Sequence, residues 1–94
     1  ININAGNGNN WVALDSRIGA TTGIVTGSGR DTIYGGMGND YISTGGNRDV
    51  IDGRAGNDTI LAGTGNDKIN GGSGNDVINA GSGNDSLSAD GGVD

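Results

Sequence analysis

Three consecutive blocks, AGTGNDKIN (62–70), GGSGNDVIN (71–79) and AGSGNDSLS (80–88), repeat one pattern of nine residues. Small residues fill the first two places, Gly the fourth, Asn the fifth, Asp the sixth, and Ile or Leu the eighth. Self-similarity at a short fixed period marks a solenoid, in which each repeat buries its apolar face only against its neighbours. The phase runs back to Thr26 through TGSGRDTIY (26–34), GGMGNDYIS (35–43), TGGNRDVID (44–52) and GRAGNDTIL (53–61), and forward into ADGGVD (89–94). Helix is excluded, because Gly recurs too often and one apolar residue in nine fits no 3.6 period. The last three places read as a short strand with the middle residue inward. The first six read as a turn, with Gly where the backbone must be tight or left-handed.

The first 25 residues keep the phase less well. AGNGNNWVA (5–13) is a repeat with Asn10 in the Asp place and Val12 in the aliphatic place, but twelve residues, Leu14 to Val25, stand where nine would fit. A degenerate coil with a short bulged insertion is expected there, giving a single module over 1–94, with 1–25 degenerate and 26–94 regular, cut from a larger protein. Trp11 and Leu14 either close the end of the stack or leave Trp11 on the outer face. Asn47 replaces the fourth-place Gly and is the side chain that best tolerates left-handed backbone. Arg54 and Asp90, both in the second place, are expected to loosen their turns.

Composition says what cannot hold such a chain together. It has 22 Gly, no Phe, one Trp and two Tyr, so the entropy of ordering is high and the apolar surface scarce. All eleven acids are Asp, and with five cations the net charge is -6. Without His or Cys, zinc, copper, haem and iron–sulfur ligation lack their usual donors, and disulfides are excluded. An acidic chain with few Lys and Arg is a poor partner for nucleic acid. No apolar run is long enough to insert into a membrane as a helix.

The Asp register supplies the missing element. Two blocks make a coil of eighteen residues, with coils about 4.8 Å apart. Asp31, Asp49, Asp67 and Asp85 then stack on one edge, and Asp40, Asp58, Asp76 and Asp94 on the other. Asp52 lies outside both columns. Carboxylates at that spacing repel unless a cation lies between them. Oxygen donors without nitrogen or sulfur favour a hard cation, and irregular turns suit calcium better than magnesium, which demands a strict octahedron. Up to about six Ca2+ ions are expected, with folding and binding a single event.

GGMGNDYIS and GGSGNDVIN resemble the Gly-Gly-x-Gly-x-Asp-x-aliphatic-x nonapeptide of the RTX (repeats-in-toxin) family. The resemblance covers Thr26 to Asp94 well, Ala5 to Ala13 loosely, and Leu14 to Val25 not at all. It implies an all-β, right-handed parallel β-roll (a β-solenoid) with two nine-residue repeats per coil. It also implies calcium held by the sixth-place carboxylates with help from turn carbonyls, here Gly35, Gly36, Gly38, Gly53, Gly56, Gly63, Gly65, Gly71, Gly72, Gly74, Gly81 and Gly83. A bacterial protein exported by type I secretion, unfolded inside the cell and folded outside it or at its surface, is implied as well.

Catalysis is not expected. The Asp residues repeat one environment rather than two contrasting ones, and no Ser has a His or a marked Lys partner. Three roles remain for the module: a calcium-triggered folding element; a structural repeat of an adhesin, surface layer or filament that self-associates end to end; and a face for ice or glycan. Ice is disfavoured by the ragged third place, with one Thr64 among Ser28, Met37, Gly46, Ala55, Ser73 and Ser82. The fifth-place Asn column reads as turn preference, and Arg30 and Arg48 on one edge could touch an anionic glycan.

Overall fold

The computed structural model describes residues 1–89, 91 and 92, so the expectations placed on Asp90 and Asp94 lie outside the described residues. The described chain is all strand and turn: β1 (Asn2–Gly6), β2 (Trp11–Ala13), β3 (Gly23–Thr26), β4 (Thr32–Tyr34), β5 (Tyr41–Ser43), β6 (Val50–Asp52), β7 (Thr59–Leu61), β8 (Lys68–Asn70), β9 (Val77–Asn79) and β10 (Ser86–Ser88). Odd strands form one parallel sheet in the order β1-β3-β5-β7-β9, and even strands a second in the order β2-β4-β6-β8-β10. Each coil therefore crosses both sheets, and about five coils stack into a β-solenoid.

Register follows the eighth place. Ile42 pairs with Ile24 and Ile60, and Ile51 with Ile33 and Ile69, each step eighteen residues along the chain. Period-two alternation turns these side chains inward, so Ile24, Ile33, Ile42, Ile51, Ile60 and Ile69 meet between the sheets as the core. Places seven and nine face out.

The first coil pairs with the second at a different offset: Ile3 with Ile24 and Val12 with Ile33, twenty-one residues along the chain. The excess is three residues, and the structure places it. IGATTGIV (18–25) is already in phase, with Thr22 in the Asp place, Ile24 in the aliphatic place and Ile18 in the second, where its carbonyl accepts the Met37 N–H at 2.7 Å. Leu14 donates its N–H to Tyr34 O at 3.0 Å as first-place Gly35 does to Asp52 O, so Asp15, Ser16 and Arg17 are the insertion. The in-phase block was hidden because it carries no Gly-x-Gly-x-Asp. Asp15 turns the chain here, accepting the Arg17 backbone N–H at 2.9 Å and pairing with its guanidinium at 2.8 Å. Leu14 packs against the core, whereas Trp11 stands on the outer face, 70% exposed.

Candidate metal centre

Between each turn and the strand that follows, the sixth-place side chain points inward. Asp31, Asp40, Asp49, Asp58, Asp67 and Asp76 are buried, and Asp85 is half-buried. One oxygen of each is used by the coil before it. The backbone N–H of Asp31 donates to Asp49 Oδ1 at 2.9 Å, that of Asp49 to Asp67 at 2.8 Å, and that of Asp67 to Asp85 at 2.9 Å. On the other edge Thr22 donates to Asp40 at 3.1 Å, Asp40 to Asp58 at 2.8 Å, and Asp58 to Asp76 at 2.9 Å. As far as Asp85 and Asp76, the two columns anticipated from the repeat register are thus continuous ladders.

The second oxygen is the anomaly. Oδ2 of Asp31, Asp49, Asp58 and Asp67 is buried without a hydrogen-bond partner. Asp40 differs, its Oδ2 accepting the Gly36 N–H at 3.0 Å. Buried polar atoms in folded proteins are almost always satisfied, and an unsatisfied charged one is costlier still. The ionic state responds: burial first, with added repulsion from flanking carboxylates, pushes Asp58 up to about 7 and Asp49 up to about 6, against the opposing pull of the N–H from the coil before and, at Asp49, of the Thr44 side chain. Asp40 and Asp67 are raised as well, again mainly by burial. Mutual repulsion, which the stacking alone suggested as the main penalty, is the smaller part. Desolvation dominates because each carboxylate is sealed beneath a coil.

Space around Oδ2 is bounded by backbone. A Cβ on Gly53 would lie 2.5 Å from Asp58 Oδ2 and 2.8 Å from the Gly71 carbonyl oxygen. A Cβ on Gly35 would lie 2.8 Å from Asp40 Oδ2 and 2.7 Å from the Gly53 carbonyl oxygen. First-place Gly therefore lets a carboxylate and a carbonyl of the next coil approach one point. The edges are not equivalent. On the other edge the first place holds Thr26, Thr44 and Ala62, and the Thr hydroxyls donate to the Thr44 and Ala62 carbonyls at 3.2 and 3.1 Å.

Asn10 shows what such a pocket accepts. It occupies the sixth place, and its Nδ2 donates to the second-place carbonyl of Gly6 at 2.8 Å. Where Asp leaves an oxygen without a partner, the amide offers a positively polarised hydrogen to an oxygen-lined wall. A cation would do the same for Asp. Among the described residues the one ion pair is Arg17–Asp15, so no side-chain cation fills that role. No three acidic side chains converge among the described residues either, so an ion here would draw on carboxylates in pairs and on carbonyls. Oxygen-only donors of this kind fit calcium.

Of the Gly carbonyls anticipated as ligands, those of Gly35, Gly36, Gly38, Gly53, Gly71 and Gly72 belong to buried residues, those of Gly56, Gly63, Gly65 and Gly74 to half-buried ones, and those of Gly81 and Gly83 to exposed ones. Turn carbonyls at the second place are engaged in inter-coil bonds. Gly45 O accepts the Thr64 N–H at 2.9 Å, Arg54 O that of Ser73 at 2.9 Å, and Gly63 O that of Ser82 at 3.0 Å. At Met37, Gly46, Thr64, Ser73 and Ser82 the third-place amide thus meets the second-place carbonyl of the preceding coil on its edge.

Two supports were missed in the sequence. Ninth-place Asx residues accept an N–H two residues on, Asp52 from Arg54, Asn70 from Gly72 and Asn79 from Gly81, each at 3.0 Å. An Asn or Asp two residues ahead of a turn's second place was the available signal. Arg54 does not loosen its turn. It adopts a left-handed φ of 69° and is held by Asp52, by an NH1 bond to Leu14 O at 3.0 Å, and by its guanidinium 5.3 Å from the Tyr34 ring centroid. Asn47 takes the expected left-handed φ, 76°. The fifth-place Asn column has a structural use: Asn57 N–H donates to Asn39 Oδ1 at 2.7 Å and Asn84 N–H to Asn66 Oδ1 at 2.9 Å.

The family model of the RTX calcium-binding nonapeptide repeat matches four times, over residues 24–51, 44–69, 52–87 and 61–94. No curated protein and no solved structure matches.

Proposed function

The chain belongs to the RTX calcium-binding nonapeptide-repeat family, and from that premise we propose that it is a non-enzymatic module whose folding is switched on by calcium outside the cell. Its ligands are Oδ2 of the column Asp residues, Asp31 to Asp85 in the described chain, together with turn carbonyls such as Gly53 and Gly71. The observation that carries this reading is the row of buried Oδ2 atoms without partners. A chain this rich in Gly, with one inward Ile per nine residues, has little to set against the cost of burying those charges. Calcium supplies the opposite charge, so the folded state depends on it.

Such a coupling suits type I secretion from a bacterium. Where free calcium is scarce the chain stays extended and can be threaded out, and it folds on meeting calcium at the surface or beyond. Far-UV circular dichroism of chelator-treated protein tests the core of this. We expect β signal to appear cooperatively on adding calcium and not magnesium. Full β signal in EDTA, unchanged by either ion, would show the metal assignment to be wrong.

A further inference from the structure

Charge is segregated on the outer faces of the roll. Outward-facing residues of the β1-β3-β5-β7-β9 sheet, among them Val25, Tyr41, Leu61 and Val77, include no charged side chain. Arg30, Arg48, Arg54 and Lys68, four of the five cations, lie on the other sheet or the turns flanking it. Asp52 is the one acid on that sheet's outer face, and Arg30, Arg48 and Lys68 have no ion-pair partner among the described residues.

Net charge conceals this face. Among the described residues seven Asp belong to the columns, and outside them five cations stand against two carboxylates, Asp15 and Asp52. Once the columns hold calcium, the described exterior is positive, with its positive side here. Without calcium the same chain is strongly acidic.

Aromatic surface lies on the same face. Trp11 and Tyr34 meet at 5.5 Å between ring centroids, tilted by 55°, with the Arg54 guanidinium over Tyr34. A groove of about 350 Å³ runs down from Tyr34 past Asp52, Lys68 and Asn70, and a second of about 400 Å³ lies beside Arg48 and Lys68. Arg and Lys pair with carboxylate or sulfate groups, Asp52 and Asn70 can accept from hydroxyls, and exposed aromatic faces pack against apolar C–H surface. Tilted rings make a poor stacking deck for bases.

We propose that the outer face of the β2-β4-β6-β8-β10 sheet is a binding surface for an anionic polysaccharide, presented when calcium fills the columns; this rests on the calcium reading above. The test is calorimetric titration of the full chain in calcium with hyaluronan oligosaccharides, neutral dextran as control, and circular dichroism recorded in the same buffer. We expect hyaluronan to bind and dextran not to. The double variant Arg48→Ser/Lys68→Ser, which alters two exposed side chains that make no ion pair among the described residues, should keep its calcium-induced β signal and lose at least tenfold in affinity. A chain that shows no calcium-induced folding overturns the module reading. A chain that folds and binds hyaluronan no better than dextran, or as well in the double variant, overturns the polysaccharide face alone. Tighter binding of single-stranded DNA than of hyaluronan also overturns it.

Discussion

Replacing Asp58 by Asn should change stability in opposite directions with and without calcium. Asn keeps the Oδ1 that accepts the Asp40 N–H, so the ladder survives, while the buried charge at Oδ2 disappears. In the calcium-free fold the Asp58 pKa stands at about 7, against an ordinary value of 3.8. At roughly 1.4 kcal/mol per unit, holding that carboxylate ionised at neutral pH costs about 4 kcal/mol at most. The new amide needs an acceptor, and if it finds none it returns about 1–3 kcal/mol of that gain. Asn10 shows that an amide in the sixth place can reach a turn carbonyl. A net calcium-free gain of about 1–3 kcal/mol is therefore expected. With calcium present, two neighbouring sites lose a ligand charge, because Asp58 stacks between Asp40 and Asp76. The calcium midpoint should rise at least tenfold. Folding in EDTA can be driven by trimethylamine N-oxide and followed by circular dichroism, since the osmolyte strengthens effective burial. Asp58→Asn should fold at lower osmolyte concentration than the parent, yet need more calcium. A variant that is worse in both conditions, or indistinguishable in calcium, would refute the assignment of Oδ2 as both the buried liability and the metal ligand.

Acid should partly replace calcium. The folded pKa values of Asp49 and Asp58 are raised to about 6 and about 7, so the protonated fold is fully favoured below the unfolded value and loses stability as pH rises through 6 to 7. Circular dichroism in EDTA should show β signal growing from pH 8 toward pH 4, and a flat profile contradicts this. Asn10→Asp exchanges a self-satisfied amide for an unpartnered carboxylate next to Asp31, so equilibrium dialysis should count additional bound calcium; an unchanged count would mean that the sixth place alone does not define a site. Gly53→Ala pushes a methyl between Asp58 Oδ2 and the Gly71 carbonyl and should cost about 1–3 kcal/mol, with weaker calcium binding, whereas Gly19→Ala meets nothing within 4 Å and should be silent in both thermal unfolding and calcium titration. Asp52→Ala removes the acceptor that supports the left-handed Arg54 turn and should cost about 1 kcal/mol in thermal unfolding without changing the calcium count.

What was legible in the sequence follows from period. Ile33, Ile51 and Ile69 recur every eighteen residues with an Asp two places before each, and that spacing alone implies parallel coils, an Ile core and two Asp columns. Departures from the period were harder to read. IGATTGIV keeps the inward Ile24 but puts Thr22 where Asp was sought, so a motif search ends before the structure does. Arg54 was judged by its poor intrinsic tolerance of left-handed backbone, yet three contacts from Asp52, Leu14 and Tyr34 hold it there. Those partners are 2, 40 and 20 residues away in the chain, and local propensity says nothing about the distant two. The division of labour within each carboxylate was also out of reach, because it depends on where the amide of the preceding coil points.

On the proposed reading, that division is why the module would need a cation when the ladder itself does not. Oδ1 is a structural acceptor whose bond is made wherever two coils stack, whatever the side chain's charge. Asn or Asp serves equally there, and Thr22 can donate to the ladder without contributing a carboxylate. Only Oδ2 distinguishes Asp from Asn, and at Asp31, Asp49, Asp58 and Asp67 only Oδ2 is left without a partner. The coil with Asn10 and Thr22 in its two sixth places carries no buried column charge, and its backbone amides still hold Asp31 and Asp40 of the next coil. Calcium dependence is therefore not a property of the solenoid backbone. If column carboxylates hold the ions, as proposed, it is set coil by coil, by whether the sixth place carries a carboxylate, and the first such place in this chain is Asp31.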